Sequence, residues 1–469
     1  MNIKKSLANN FVFQLLYQVV VLVIPLVLSP FLTRKLGSEA LGVYSYVNSI
    51  ACYFVLFANL GIARHGQRII SQTAHDKEKQ NKAFWSLFVL HIFVSSISIL
   101  VYILFSLIFG GANLSIFLIE IFYVASALFD ITWFFYGLEN FKNVVIKNLF
   151  VKVSECILIF IFVRNSSDLW VYTLISALGL LVGQLIMIPQ ALKISKPVKF
   201  DYSDIKQHIR PLFVLFISVL ASSLFTVFDK TLLGLMGTFN DVAFYEYSQK
   251  IVAIPKVIIC VIGTVMMPRA CALVKDENIS KQKELIAISF LFVNIVSFSS
   301  ILGLCAVAKE FAIIYYGSEF ESCGAIIMCL SPVIYTVGAG DVLRSQVMIP
   351  NHMDKKFSII ISISALSNII LSIALIPFFG IYGAVIGSVF AEFLEFILTC
   401  IFCFKTIILA LDLSFFVLLE NFCYLMNKFI FKNNNIKTYV MYRICKLSFK
   451  HNIDYLYIVY NLILYQHLL

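Results

Sequence analysis

Long apolar runs separated by short polar segments occupy most of the chain up to residue 405. A helix that crosses the hydrocarbon core of a bilayer needs about 20 apolar residues, and lipid cannot satisfy the backbone polar groups of an open strand. The pattern therefore predicts an all-α polytopic membrane protein. Its twelve predicted transmembrane helices lie at residues 11–33, 41–63, 83–109, 114–138, 144–164, 168–192, 211–236, 241–267, 285–308, 323–344, 357–378 and 381–404.

The lysines and arginines between the predicted spans are distributed unequally. If the N-terminus is cytoplasmic, the segments on the cytoplasmic side hold 23 of these residues and the segments on the outer side hold 4. Cytoplasmic loops of membrane proteins carry the excess of Lys and Arg. The distribution therefore predicts a cytoplasmic N-terminus and an even number of spans before residue 405.

A weak internal repeat indicates two halves of six helices each. The sequence GVYSY at residues 42–46 follows the first predicted span, and AFYEY at residues 243–247 follows the seventh. Many transporters are built from two such repeats. We therefore expect one lobe at residues 1–200 and a second at 201–405, joined by the basic segment 193–210. The basic residues of 406–469 do not continue the loop pattern, and this tail is expected to lie at the membrane interface or to fold poorly, with its topology left open.

Composition excludes several classes of function. The chain is 60% hydrophobic and 13% charged, whereas soluble domains carry about 25% charged residues. The net charge of +10 arises in loops between apolar runs, which indicates topology and not a nucleic-acid partner. The eleven cysteines are scattered, mostly in apolar runs, and no nucleotide-binding loop is recognisable. We therefore expect no enzyme activity, no cofactor, no metal site and no nucleic-acid partner.

Charged residues inside the apolar runs are the main functional signal. A charge at the centre of a bilayer costs about 2.5–3.5 kcal/mol on insertion scales. Residues 211–256 nevertheless contain five charged side chains within or beside two predicted spans: Asp229, Lys230, Glu246, Lys250 and Lys256. Such residues need a partner, a water-filled cavity, or both. The pattern therefore predicts a polar cavity inside the helix bundle.

Several stretches resemble the bacterial polysaccharide flippases of the Wzx type, in the multidrug, oligosaccharidyl-lipid and polysaccharide exporter superfamily. The similar stretches are residues 24–71, DITWFFYGLENFK (130–142), DKTLLG (229–234), YEYSQKI (245–251), TVMMPRA (264–270), YYGSEFESCG (315–324) and IPFFGIYGAVIGSVFAE (376–392). The resemblance covers residues 5–405. The tail departs from the family, whose members usually add two further spans there.

This resemblance implies a function. Such proteins move an undecaprenyl-diphosphate-linked oligosaccharide from the inner to the outer leaflet of the bacterial cytoplasmic membrane, where it enters O-antigen or capsule assembly. Its further implied partners are the lipid bilayer and the polysaccharide polymerase and chain-length machinery. No covalent chemistry and no cofactor are implied.

The charged residues within and at the ends of the predicted spans can be assigned to two roles. Cationic side chains would attract the diphosphate of the cargo, and the candidates are Lys152, Lys230, Lys250, Lys256, Arg64 and Arg344. Carboxylates would bind a coupling proton or Na⁺, and the candidates are Glu392, Glu395, Asp229 and Glu155. Two carboxylates on one helix face cannot both ionise cheaply, which favours Glu392 and Glu395. The alternative is that these residues form structural ion pairs or extend to the membrane interface.

Other functions remain open at this point. A drug exporter of the same superfamily would share the architecture, although an acidic or apolar cavity would suit its cargo better. A flippase for the peptidoglycan precursor would carry similar cargo. A membrane glycan polymerase would be an enzyme, and such enzymes usually use a long external loop with Arg and His, whereas the external segments here are short.

Overall fold

The computed structural model describes residues 3–408, with side chains from residue 23 to residue 403 apart from several between 214 and 226. Sixteen α-helices make up almost all of this part of the chain: α1 (Ile3–Asn59), α2 (Ile62–Thr73), α3 (Lys77–Phe109), α4 (Leu114–Ile119), α5 (Ile121–Leu128), α6 (Thr132–Gly137), α7 (Phe141–Phe162), α8 (Leu169–Leu185), α9 (Ile188–Ile194), α10 (Tyr202–Met236), α11 (Phe239–Lys275), α12 (Ile279–Tyr316), α13 (Ser322–Leu330), α14 (Val333–Leu343), α15 (Asp354–Phe379) and α16 (Ile381–Ile408). The described residues contain no β-strand, so the predicted all-α fold is confirmed.

Nine helical stretches within residues 23–403 are long and apolar enough to cross a membrane. The first, Val23–Thr73, combines the first two predicted spans. The predicted fifth and seventh spans coincide with α7 and α10, which are not among the nine. The multi-pass character is therefore confirmed, while the number of twelve stays a prediction. The division into two lobes also stays a prediction, and the tail beyond residue 408 lies outside the described residues.

Short polar motifs set where the long helices begin. Asp201 and Asp204 form a capping box at the start of α10, and Thr238 and Asp241 form another at the start of α11. Each box satisfies backbone N–H groups that have no partner within the helix. These motifs fix where the two helices that carry Asp229, Lys230, Glu246 and Lys250 begin.

The first helix contains a sharp break at Gly37, where φ is 78° and ψ is 174°. Only glycine adopts this backbone conformation easily. The break falls between the first two predicted spans, so it acts as a very short connection. It also exposes the backbone N–H of Ser38 at the start of the following helical segment.

Buried side chains form three clusters, and the outer surface is apolar. The largest cluster joins α1 and α7 to helices from α10 to α16. A second joins α2, α3, α6 and the start of α10, and a third joins α1, α3, α4 and α5. Large apolar side chains such as Ile108 and Phe378 are 71% and 81% exposed on the outside of the bundle. Lipid covers such a surface, which leaves polar contacts to the interior.

Candidate functional site

Three charged residues form a cluster between α10 and α11. The Lys230 Nζ atom lies 2.7 Å from Oε2 of Glu246, and the Lys250 Nζ atom lies 3.4 Å from Oε1 of the same carboxylate. Lys250 also lies over the Tyr247 ring, 4.1 Å from its centroid. The side chains of Lys230, Glu246 and Lys250 are 16%, 19% and 33% exposed. One carboxylate thus neutralises two ammonium groups only in part, and the cluster keeps a net positive charge.

A second ion pair lies near this cluster on the first half of the chain. The Lys152 Nζ atom on α7 lies 2.8 Å from Oε2 of Glu155. Tyr172 on α8 packs against Tyr44 with ring centroids 4.7 Å apart, and it interacts electrostatically with both Lys250 and Glu155. The structure therefore brings Lys152, Lys230 and Lys250 toward one central region lined by tyrosines.

Asp229 lies next to this cluster in sequence but occupies a separate, closed site. It is only 1% exposed. The hydroxyl groups of Tyr245 and Ser372 donate hydrogen bonds to its carboxylate at 2.6 and 3.2 Å, the Asn368 amide donates at 3.1 Å, and Ser388 donates as well. These donors come from α11, α15 and α16. Such an oxygen-rich site can hold an anionic carboxylate, a proton or a small hard cation.

The four donors around Asp229 could not be identified from the sequence. Asn368 and Ser372 are one helical turn apart inside an apolar run, and Ser388 lies inside the next run. Small polar residues in membrane helices frequently bond neighbouring helices. Their spacing was a signal for polar packing, although not for a contact with Asp229.

Glu392 and Glu395 border cavities in the second half of the chain. A cavity of about 170 Å³ is lined by residues that include Asp341, Arg344, Glu392 and Glu395. A neighbouring cavity of about 130 Å³ is lined by residues that include Lys256, Ser388 and Glu392. Because Ser388 bonds Asp229, the second cavity reaches the surroundings of the Asp229 site.

Three predicted cationic residues lie apart from the central cluster. Arg344 and Lys256 each line one of the two cavities beside Glu392, and Arg344 also lies 4.4 Å from the centroid of the Phe357 ring. Arg64 lies exposed on α2. Their grouping with the three central lysines as substrate ligands therefore rests on the sequence prediction alone.

A histidine pair near Arg64 joins α2 to the start of α10. The Nε2 atom of His65 lies 2.9 Å from Nδ1 of His208. His208 also lies 3.4 Å from the Ser86 hydroxyl on α3, and Arg68 lies 3.3 Å from His65. Burial lowers the pKa of His208, although Asp204 opposes this change. Sequence reasoning did not identify this contact.

The Gly37 break inside α1 is joined to the second half of the chain. The backbone N–H and the hydroxyl of Ser38 donate to Oε1 of Glu319 at 2.8 and 2.5 Å. The Arg34 guanidinium donates to the carbonyl of Ile314 at 2.6 Å. These contacts connect α1 with the end of α12 and the turn that follows it.

Membrane-crossing helices around charged interior sites are the architecture of a polytopic membrane transporter. Residues 7–274 match the family of polysaccharide biosynthesis proteins, and the protein belongs to this family. The match covers more than half of the chain, so the family resemblance noted in the sequence is confirmed.

Curated relatives agree with this assignment. The protein is 25% identical over 379 residues to the "Putative O-antigen transporter" of Shigella dysenteriae, which covers 79% of this chain and 93% of the relative. It is 24% identical over 395 residues to the protein of the same name from Escherichia coli K12, covering 83% and 94%. These relatives are named as transporters, and the expectation that the protein is not an enzyme is confirmed.

Solved structures show the same fold. The inward closed conformation of the lipid II flippase MurJ gives a TM-score of 0.67 at 16% identity and covers 98% of this chain and 99% of that one. An inward-facing multidrug transporter of the MATE family gives a TM-score of 0.58 at 14% identity, covering 82% and 98%. At these identities the likeness establishes the helical transporter fold alone.

Proposed function

We propose that the protein is a flippase that moves undecaprenyl-diphosphate-linked oligosaccharide repeat units from the inner to the outer leaflet of the bacterial cytoplasmic membrane for O-antigen or capsule assembly. The observation that carries this proposal is the Lys230–Glu246–Lys250 cluster, with Lys152 nearby. The family, the names of the relatives and the transporter fold support it. The N-terminus is cytoplasmic in this proposal, as the basic loops predict.

The cluster suits a diphosphate because it replaces water with ammonium groups. A diphosphate that leaves water without compensating partners loses far more hydration energy than other contacts restore. Lys230 and Lys250 supply charged donors, and charge-assisted hydrogen bonds are about twice as strong as neutral ones. Glu246 already contacts the ammonium groups of both lysines in the described structure. It therefore competes with the cargo and limits its affinity, which a carrier needs for release.

The Asp229 site and the two cavities beside Glu392 supply the proposed ion coupling. Asp229 is surrounded by hydroxyl and amide groups that can turn their oxygens toward a bound ion. Glu392 lies between the two cavities, and Glu395 lies in the first. A proton or Na⁺ entering through these cavities would reset the empty carrier. Glu155, the fourth predicted coupling residue, neutralises Lys152 in the described structure, and in this proposal it releases Lys152 when protonated.

The proposal is tested by deleting the gene in its own host and analysing lipid-linked glycans by leaflet. We expect the completed repeat unit to accumulate on undecaprenyl diphosphate in the inner leaflet, with loss of surface polysaccharide. Complementation with a Lys230→Ala and Lys250→Ala double variant should not restore export, whereas the exposed Lys206→Ala control should. Normal delivery of repeat units to the outer leaflet in the deletion strain would refute the proposal.

An exporter of organic cations is the second candidate function. The cavity with Asp341, Glu392 and Glu395 is acidic, and such a cavity suits a cationic amphiphile better than a diphosphate. Dye efflux from cells that express the protein separates the two candidates. Efflux that disappears in a Glu392→Gln variant, together with normal surface polysaccharide in the deletion strain, would favour this second function.

A further inference from the structure

Glu120 is a buried carboxylate in the first half of the chain that the proposed transport mechanism does not use. It lies at the junction of α4 and α5 and is 1% exposed. Its Oε1 atom accepts a hydrogen bond from the Asn48 amide at 3.4 Å. Its Oε2 atom has no hydrogen-bond partner among the described residues. Half of this carboxylate is therefore buried without a polar partner.

The titratable groups that face Glu120 are all neutral at physiological pH. Those with a resolved electrostatic interaction are two residues of α1, Tyr44 and Cys52, together with Tyr102 of α3 and Tyr123 of α5. Unperturbed phenols and thiols titrate near pH 10 and 8.5. Among the described residues no cation contacts the carboxylate.

Three of these groups already have other partners. The Tyr102 hydroxyl donates to the Phe117 carbonyl at 3.0 Å, and the Tyr123 hydroxyl lies 3.4 Å from the Cys52 sulfur. An ionised carboxylate in this position would be a buried, uncompensated charge, which costs several kcal/mol. A proton on the carboxyl group removes that charge.

A metal ion fits the site poorly. Hard cations need six or more oxygen ligands, whereas the Asn48 amide is the only side chain that the described residues place in hydrogen-bond contact with Glu120. Among the described residues, no group of three or more acidic, histidine or cysteine side chains is placed to hold a metal ion. A proton is the ligand that satisfies the geometry.

The same segment of α1 links Glu120 to the central charge cluster. Asn48 contacts Glu120, and the next residue, Ser49, lies 2.8 Å from the Thr231 hydroxyl on α10. Tyr53 lies 3.2 Å from the same hydroxyl. Thr231 follows Lys230 directly, and Cys52 interacts electrostatically with Glu120, Lys230 and Glu246. A movement of α1 relative to α4 and α5 therefore also changes its contact with α10.

We propose that Glu120 is a proton-binding site in the first half of the chain, separate from the Asp229 site in the second half. The carboxyl group is protonated in the described conformation. It releases its proton to water when α1 moves away from the α4–α5 junction and Oε2 becomes hydrated. This inference rests on the proposed transport function only for the assumption that α1 moves; proton binding itself does not depend on the cargo.

Infrared titration of the purified protein in lipid bilayers tests the site directly. We expect the wild type to show protonated-carboxyl C=O absorption at neutral pH, and Glu120→Gln to lose the contribution of one carboxyl group from it. Glu39→Gln, which alters an exposed glutamate of α1, should leave that band unchanged. Identical carboxyl bands in the wild type and in Glu120→Gln would overturn the proposal.

A second variant covers the case in which Glu120→Gln does not fold. Asn48→Leu removes the amide that donates to Oε1, so the C=O band should shift to higher frequency in a folded protein. An unshifted band would show that the protonated carboxyl is not Glu120 and would overturn the proposal.

Transport measured on the same preparations separates this inference from the proposed function. If the wild type carries a lipid-linked glycan across liposome membranes, the pH dependence of that flux should flatten in Glu120→Gln and persist in Glu39→Gln. A Glu120-dependent band in a protein that does not move the glycan would support the proton site and refute the proposed cargo. Glycan transport by a protein that lacks such a band would support the proposed cargo and refute the proton site.

Discussion

The most informative perturbation of the central cluster is Glu246→Gln. The glutamine keeps the size of the side chain and removes the only carboxylate among the described residues that contacts Lys230 and Lys250, at 2.7 and 3.4 Å. Two ammonium groups then face each other without a counter-charge. We expect the empty carrier to lose stability and to gain affinity for a diphosphate, because both ammonium groups become available to it.

The size of the expected stability loss follows from the exposure of the three side chains, which is between 16% and 33%. Removing one partner of a fully buried ion pair costs about 3–5 kcal/mol, whereas an exposed pair contributes about 0–1 kcal/mol. The cluster lies between these limits, so we expect a loss of about 2 kcal/mol. If a bound diphosphate recovers that energy, its affinity should rise about 30-fold, since 1.4 kcal/mol corresponds to a factor of ten.

Both effects can be measured on purified protein by chemical denaturation and by calorimetric titration with inorganic pyrophosphate. Glu284→Gln is the matched control, because Glu284 is an exposed glutamate on α12 in the same half of the chain. Flux of the lipid-linked cargo should fall in Glu246→Gln, since a tightly held diphosphate leaves slowly. Unchanged stability together with unchanged pyrophosphate affinity would show that Glu246 does not control the charge of the two lysines.

Three further predictions concern other parts of the structure. Gly37→Ala should destabilise the protein by about 1–3 kcal/mol in denaturation experiments, because φ is 78° there, whereas Gly303→Ala, with open space around the new methyl group, should not. Asp229→Asn should lower the free energy of unfolding by about 1.5–3 kcal/mol for each charged hydrogen bond that it disrupts. It should also abolish the ion dependence of transport without weakening pyrophosphate binding. Intact ion dependence would exclude Asp229 as the coupling site. Burial lowers the pKa of His208 from its usual value of about 6.5. As the pH falls below that value, the unfolded chain therefore binds more protons than the folded protein, and the contribution of this group to the free energy of unfolding decreases. His208→Gln should reduce this pH dependence of the unfolding midpoint, and an identical dependence would contradict the assignment.

Contacts within one helix can be predicted from the sequence better than contacts between helices. Lys152 with Glu155 and Glu246 with Lys250 are spaced so that helix periodicity alone brings their side chains together. Lys230 reaches Glu246 from another helix, and no pattern in the sequence determines that pairing. The same limit explains why Asp229 could be singled out as a buried charge while its donors Asn368 and Ser388 could not.

Glu120 was missed for a different physical reason. It lies near the start of the fourth predicted span (114–138). A carboxylate at that position is as compatible with the membrane interface as with the interior. Its burial depends on the packing of α1 and α3 over the α4–α5 junction. Burial of this kind is a property of the assembled bundle, so composition and spacing carry no signal for it.

The first helix contacts three of the sites described above: the turn at Glu319, the buried Glu120 and the edge of the central charge cluster. At the Gly37 break it bonds Glu319 through Ser38, near its middle it bonds Glu120 through Asn48, and on another face it reaches Thr231, next to Lys230, through Ser49. A carrier must make cargo binding and opening of the bundle depend on each other, and such coupling requires an element with different contacts in the two states. Because α1 touches the second half of the chain at both the break and the charge cluster, displacement of α1 cannot open one contact without straining the other. A proton on Glu120 would then bias the same movement from the first half of the chain, which is why the charge clusters and this buried carboxyl group can act as parts of one mechanism.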